Sequence, residues 1–354
     1  MNSLSGLRHY IDHPHQPLTN NVPQMSSIPQ TKLGVVGCGP RGISHVKSVQ
    51  SLEGAECVGG CDFSPEARAA FEEKTGVKAF ESLDDLLALE PDVIGVATTV
   101  DSHVPVGKLV LDAGKHLVME KPISCDAAEG EELVRLAEEK GLKGATSFQL
   151  HYHNHAVKMK ELCRQIDPVM IHHARHTGRM RGSYMRAGKS TGVFDYLTHE
   201  IDLIRWWTGR PVTAVTGRVE CGTFHGSEAP ELAVLHFDLG GDDCAAATLV
   251  AAMASPPLSR VVQVAGRRGA IQTTFGGDIK WRNGPEADPE DAEIPPNPMD
   301  ATAALYRDLV LSIHGEEVPE MPTLQDGLAT VAVIDAAFES HATNARVEIS
   351  PSHQ

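Results

Sequence analysis

Leu33-Gly34-Val35-Val36-Gly37-Cys38-Gly39-Pro40-Arg41-Gly42 decides how this chain folds. Four residues of buried-strand character run into G-x-G-x-x-G, and a plausible helix over 43–52 follows. In such a turn the first glycine permits the bend, the second admits a pyrophosphate against the backbone, and the third lets helix pack on strand. The phosphates would lie at the helix N-terminus, where free N–H groups and the macrodipole favour an anion. Glycine-rich turns are common, so a purely structural strand-to-helix turn stays open on this motif alone. Asp62 adds weight. It ends a second strand, 55–61, and lies 20 residues beyond Gly42 (62 − 42), near the spacing at which a carboxylate takes the ribose hydroxyls of NAD. NAD is favoured over NADP because a 2′-phosphate would face that carboxylate, while Arg41, close in sequence, argues the other way.

Working outward, Ser64-Pro65 opens a helix that runs to Thr75 and closes at Gly76, with serine at the cap and proline in the first turn. A short strand over 77–80 precedes Ser82-Leu83-Asp84-Asp85, which resembles a capping box. Strands at 93–97, 116–119 and 144–148 then alternate with helices at 102–112 and 126–140. This alternation implies a parallel sheet covered on both faces. Residues 31–150 read as a dinucleotide-binding, doubly wound Rossmann domain. Residues 1–30 are rich in Pro, Ser, Asn, Gln and His and lack apolar periodicity, so they read as a disordered leader or an arm on a neighbouring subunit.

After Gln149 the alternation ends. A helix over 156–166, a strand over 169–176, a Gly/Arg-rich loop and a helix over 193–207 come first. Strand-like runs at 212–223, 232–237, 245–253, 260–265 and 270–275 follow without helices between them, which suggests a mainly antiparallel sheet with one face free to bind something. The Pro/acid-rich stretch 283–298 reads as a surface loop, and helices at 301–314 and 323–340 close the chain. The fold class is therefore α/β, an N-terminal doubly wound Rossmann domain followed by a C-terminal α+β domain, 151–350, with a large open sheet.

Composition excludes several functions. The chain has 354 residues, enough for two domains, and no run approaches the ~20 apolar residues of a membrane span. The first residues lack a basic-then-apolar signal pattern, so a cytoplasmic protein is the default. Seven scattered cysteines without CxxC pairing fit a reducing compartment. With 31 Lys+Arg against 47 Asp+Glu the net charge is −16, which disfavours nucleic-acid binding.

Two further stretches carry chemistry. Lys115-His116-Leu117-Val118-Met119-Glu120-Lys121-Pro122 is a short strand stopped at a lysine between a carboxylate and a proline, a step that suits a strand end. Strand ends of an open α/β sheet are where ligands bind. A solvated Glu-Lys pair before a turn is the plain alternative. Asp195, His199 and Asp202 are spaced i, i+4, i+7 and so share one helix face. That stripe is either a solvated face or a cleft-facing set in which His199 is a general base and a carboxylate orients it. Metal ligation would need a second cluster with cysteine, and none completes it, so no metal is expected. His151, His153 and His155 alternate after the last Rossmann strand, where polar residues could meet substrate.

With these pieces placed, the chain from Lys32 to Ile349 resembles the glucose–fructose oxidoreductase and inositol dehydrogenase (Gfo/Idh/MocA) family. The resemblance rests on residues 37–42, on Glu120-Lys121-Pro122, on Gly192-x-x-Asp195-x-x-x-His199-x-x-Asp202, and on Ala97-Thr98-Thr99-x-x-Ser102-His103. It implies an NAD-dependent oxidoreductase acting on sugars, polyols or their derivatives, and an open sheet that forms homodimer or homotetramer interfaces. It implies catalysis by Lys121, Asp195 and His199, and cofactor binding by Gly37, Gly39, Pro40, Arg41, Gly42, Asp62, Thr98, His103, Glu120 and Lys121. It also implies a cis Lys121-Pro122 peptide. His151 stands where the family usually has arginine and is a substrate candidate with Arg175, Arg179, Tyr184, Asp195 and His199. Substrate identity is open. Two rival readings remain: NAD-dependent glycoside cleavage by oxidation and elimination, and a non-catalytic NAD-binding regulator.

Overall fold

The computed structural model describes residues 27–178, 185, 187–241, 244–253 and 259–354. Six parallel strands form the first sheet: β1 (Ser27–Val36), β2 (Glu53–Cys61), β3 (Ala79–Phe80), β4 (Val93–Val96), β5 (His116–Met119) and β6 (Gly144–Thr146). Their order is β3-β2-β1-β4-β5-β6, with Leu33 opposite Val93 and Val96 opposite Met119. The strand order reverses between β1 and β4, which opens a crevice at their C-terminal ends. Strand β4 is buried at every position, the pattern of a strand covered on both faces.

The connecting helices are α1 (Pro40–Gln50), α2 (Pro65–Thr75), α3 (Leu83–Leu87), α4 (Val100–Asp112) and α5 (Ala127–Glu139). Their starts follow the expected chemistry. Ser64 Oγ accepts from Ala67 N at 3.1 Å and Ser82 Oγ accepts from Asp85 N at 3.1 Å. Strand β1 begins earlier than the sequence reading allows. Ser27 pairs with Glu53 and Ile28 is buried, so residues 27–30 belong to the sheet rather than to a leader. One apolar residue in a polar stretch is too weak a signal to extend a strand by pattern alone.

The second sheet has nine strands: β7 (Pro168–His176), β8 (Val212–Cys221), β9 (Pro230–Leu239), β10 (Ala246–Ala252), β11 (Ser259–Gly266), β12 (Gly269–Thr274), β13 (Ile279–Asn283), β14 (Glu290–Asp291) and β15 (Val347–Glu348). Their order is β14-β13-β12-β11-β7-β10-β9-β8-β15, antiparallel except where β10 runs parallel to β7. Two residues of the expected 283–298 loop thus pair with β13 as a short edge strand. Helices α6 (Asn154–Ile166), α7 (Val193–Thr208) and α9 (Leu324–Thr343) cover one face. Exposed Val234 and His236 lie on β9.

Packing departs from chain order at α8 (Ala301–Ile313). Right-handed crossovers place α1 and α2 on one face of the first sheet and α4 and α5 on the other. The first face is therefore bare over β4 to β6, and α8 fills it. Leu305, Tyr306, Leu309 and Val310 pack in one cluster with Leu33, Val93, Val118 and Ala145. Gly95 makes the fit possible, because a Cβ there would lie 2.1 Å from Tyr306 Oη.

Candidate active site

The glycine cradle divides its roles as the chemistry requires. Gly37 has φ +99°, and a Cβ on it would meet Ala97 O at 2.5 Å. A Cβ on Gly42 would lie 1.8 Å from Gly37 O, so the third glycine seats α1 against the turn. Gly39 has nothing within 4 Å of its Cβ position, leaving open space where a phosphate would approach. No side chain caps α1, so its first N–H groups face that space. Asp62 Oδ2 accepts from Cys38 N at 2.8 Å and Oδ1 from Ser64 N at 2.9 Å, which fixes the carboxylate beside the turn. Arg68 is engaged with the Asp62 and Phe63 carbonyl oxygens at 2.8 and 3.1 Å. These residues fit NAD, with a carboxylate at the ribose end and the nearby Arg68 turned to backbone carbonyl oxygens.

Arg41 does not argue for NADP once folded. Its Nε donates to Glu120 Oε1 at 2.9 Å, and Nη2 reaches the same oxygen and, at 3.3 Å, Ser147 Oγ. Glu120 is buried, and it also takes His45 Nε2 at 2.8 Å and its neighbour's amide, Lys121 N, at 3.2 Å. Burial pushes this carboxyl up. The His45 bond and the charges of Arg41, His45 and Lys121 outweigh that and hold it well below the usual range. His45 Nδ1 in turn meets Tyr306 Oη at 2.8 Å, so α8 reaches the site through two residues.

Lys121 ends β5 in a cis peptide to Pro122, as the resemblance implies. Its Nζ donates to Asp195 O and Asp195 Oδ1, both at 2.9 Å. His103 ties the adjoining turns together, with Nδ1 at 2.7 Å from Pro122 O and Nε2 at 3.2 Å from Thr98 O. Burial lowers its basicity, and a neutral imidazole donates from one nitrogen, here to the nearer oxygen. Arg41, Thr98, His103, Glu120, Lys121 and Asp195 line one cleft, about 130 Å³ in volume, that opens to solvent.

Helix α7 is buried on nearly all sides, including its polar residues Thr198, His199, Glu200 and Asp202. Buried polar groups need partners, and the structure sorts the stripe of the sequence into three separate pairings. Asp195 goes to Lys121. His199 packs its ring edge-on to Phe148, 5.9 Å between centroids, and its Nδ1 has no partner among the described residues. Asp195 therefore does not orient His199, contrary to the sequence reading, because the lysine claims the carboxylate. Burial, and then the Lys121 charge, lowers the His199 pKa well below the usual imidazole range.

Asp202 goes to His151, whose Nε2 lies 2.8 Å from Oδ2 while Nδ1 lies 3.1 Å from Glu320 O. Trp206 stacks on the ring at 4.1 Å. The structure thus places His151 in a buried pair behind α7 and not in the Lys121 cleft, a correction to its expected substrate contact. Arg175 is bound to Glu200. Arg179 and Tyr184 lie outside the described residues. The sequence reading missed Glu200, which no periodic signal separates from a surface glutamate. It also missed His45 and Tyr306, 261 positions apart.

Comparison with known proteins places this geometry. Residues 31–148 match the model of an oxidoreductase family with an NAD-binding Rossmann fold, and residues 164–349 match that family's C-terminal alpha/beta domain. UDP-N-acetylglucosamine 3-dehydrogenase of Acidithiobacillus ferrooxidans is 25% identical over 210 residues, covering 54% of this chain and 61% of that protein. Inositol 2-dehydrogenase of Salmonella typhimurium is 24% identical over 183 residues, 49% of this chain and 54% of that protein. The chain spans between about half and three fifths of the length of these curated relatives. Among solved structures, the WlbA dehydrogenase of Bordetella pertussis, in complex with NADH and UDP-GlcNAcA, superposes with TM-score 0.76 at 22% identity, over 91% of this chain and 99% of that one. An Agrobacterium radiobacter oxidoreductase in complex with NAD+, L-tartaric acid and magnesium gives TM-score 0.79 at 19% identity, over 90% and 98% of the two chains. With both of its domain models matched in order along the chain, the protein belongs to the Gfo/Idh/MocA oxidoreductase family.

Proposed function

We propose that this protein is an NAD-dependent dehydrogenase that oxidises a secondary hydroxyl of a sugar, cyclitol or sugar derivative. The observation that carries the reading is Lys121, held by Asp195 at the end of β5 beside the glycine cradle, with the neutral His199 one turn further along α7. The relatives named above, dehydrogenases of sugars and inositol, support it. When bound, the nicotinamide supplies the redox chemistry by accepting hydride.

The chain's own residues supply position and charge. Lys121 donates to the substrate oxygen and stabilises the alkoxide as it develops, and a fixed donor in a cleft is worth far more there than in water. Asp195 aims that ammonium group. His199 is neutral, and its imidazole takes the hydroxyl proton in oxidation and returns it in reduction. Thr98, His103, Glu120 and Arg41 shape the cofactor side of the cleft, Gly37, Gly39, Pro40 and Gly42 take the pyrophosphate, and Asp62 takes the adenosine ribose. His151 acts behind α7 by holding Asp202.

Assembly as a homodimer or homotetramer through the open face of the second sheet, and a cytoplasmic location, belong to the same reading. No helix among the described residues is long and apolar enough to cross a membrane. A panel of sugars and cyclitols, each incubated with NAD and followed at 340 nm, tests the function. Accumulating NADH with one of them is the expected result. A panel that turns over without NADH, or a protein that fails to bind NADH, would overturn it.

A further inference from the structure

The side of α7 adjoining Asp195 and His199 carries Tyr196 and Glu200, and the second sheet brings two arginines to them. Glu200 is fully buried. Its Oε1 accepts from Arg175 Nη1 of β7, and its Oε2 accepts from Arg260 of β11 through Nε at 3.2 Å and Nη2 at 2.7 Å. Each guanidinium lies over an aromatic ring, Arg175 at 4.3 Å from the Tyr196 centroid and Arg260 at 3.6 Å from that of Phe275. Such stacking fixes the planes of both groups and leaves their edges to donate.

The charges do not cancel. Two arginines share one carboxylate, and the other charge acting on Arg260 is that of Arg175. Three neighbouring histidines are pushed toward the neutral form. His173 Nε2 lies 3.1 Å from Glu200 Oε2, yet neither of its ring nitrogens makes a hydrogen bond, and burial brings its pKa down to about 4. His153 and His155 flank Phe275 at 5.8 and 4.6 Å and are likewise lowered, by burial first. Two guanidinium groups thus meet one carboxylate, in a protein whose net charge is −16. Most of both side chains is out of water, the two arginines being 18% and 17% exposed. Arg175 Nε and Nη2 and Arg260 Nη1 have no partner among the described residues. These donors are not buried without partners, and a guanidinium edge open to solvent can take a carboxylate or phosphate in charge-assisted hydrogen bonds.

We propose that the molecule oxidised at this site carries an anionic group, a carboxylate or a phosphate, and that Arg175 and Arg260 hold it. The proposal rests on the dehydrogenase reading for the reaction, but its test does not depend on turnover. The protein saturated with NADH, so that the phosphate cradle is filled, is titrated by calorimetry with inorganic phosphate and, separately, with acetate.

Saturable binding of at least one ion is expected, weakened about tenfold or more in Arg260→Gln, the loss of about one charge-assisted hydrogen bond. Arg175→Gln does the same if the first variant fails to fold. Glu200→Gln enlarges the positive surplus and should tighten binding, which loss of a merely structural contact would not do. The phosphate and acetate arms distinguish the two anion classes. Absence of saturable binding by either ion, or binding unchanged in the arginine variants, overturns the proposal. Failure of every sugar to reduce NAD would instead count against the dehydrogenase reading.

Discussion

Lys121 and Asp195 are joined twice, the lysine Nζ standing 2.9 Å from the aspartate's backbone oxygen and 2.9 Å from its Oδ1. One contact therefore survives any change to the aspartate side chain. Lys121→Met should lower kcat by about 10²- to 10³-fold, the cost of losing a donor to a developing oxyanion. Asp195→Asn should cost about tenfold, because the backbone oxygen still aims the ammonium. NADH affinity, followed by fluorescence titration, should stay near its original value in both. A Lys121→Met enzyme with full turnover would remove the lysine from the mechanism.

The pH profile of alcohol oxidation should look unlike that of an ordinary histidine base. Burial, and after it the Lys121 charge, lowers the His199 pKa far below its usual value. A base must be neutral to work, so a lowered pKa extends activity toward acid. We expect kcat/KM to stay level as pH falls through about 6.5, the unperturbed imidazole value. Replacing Lys121 with methionine removes the second cause, so the acid limb of the residual activity should move upward. An acid limb that stays fixed would mean that another group titrates.

Stability toward acid should follow Glu200 and His173. Glu200 is brought down to about 2, where burial raises it but His173, Arg260 and Arg175 more than compensate. A carboxylate lowered in the folded state stabilises above its unfolded pKa, and that stability is lost as pH falls through the folded value. His173, brought down to about 4 chiefly by burial, acts in the same direction, because the unfolded imidazole binds its proton first. Melting temperature should drop from about pH 6.5 downward, and more steeply below about pH 4.5. Glu200→Gln should flatten the steeper part, as read by calorimetric melts across that range.

Gly95→Ala should destabilise by about 1–3 kcal/mol, since its methyl group would run into Tyr306 Oη in a packed interior. Adding Tyr306→Phe removes that oxygen, so the double variant should melt above Gly95→Ala alone although Tyr306→Phe itself strips a partner from His45. Simple additivity of the two melting shifts would show that the clash is not the cause.

The first sheet was legible because most of its strands carry an apolar run and several of its helices a cap, as Ser64 and Ser82 provide. The cradle was legible too, because glycine roles depend on local backbone. Side-chain partnerships were not. Asp195, His199 and Asp202 do share a face, yet that face meets Lys121, Phe148 and His151 in turn. Helical spacing reports which residues point together and says nothing of what each one meets. The same limit hid α8, whose apolar residues call for a partner surface without naming which sheet provides it.

That helix has a consequence for how the protein is made. Leu33, Val93, Val118 and Ala145 are synthesised early, while the residues that cover them, Leu305, Tyr306, Leu309 and Val310, come more than 150 positions after Ala145. Domains made first usually finish folding first. Here the nucleotide-binding unit stays open on one side until residues 305–310 have left the ribosome. It is not a module that could be lent to another protein by cutting after Phe148, because its last wall is written more than 150 codons further along the message.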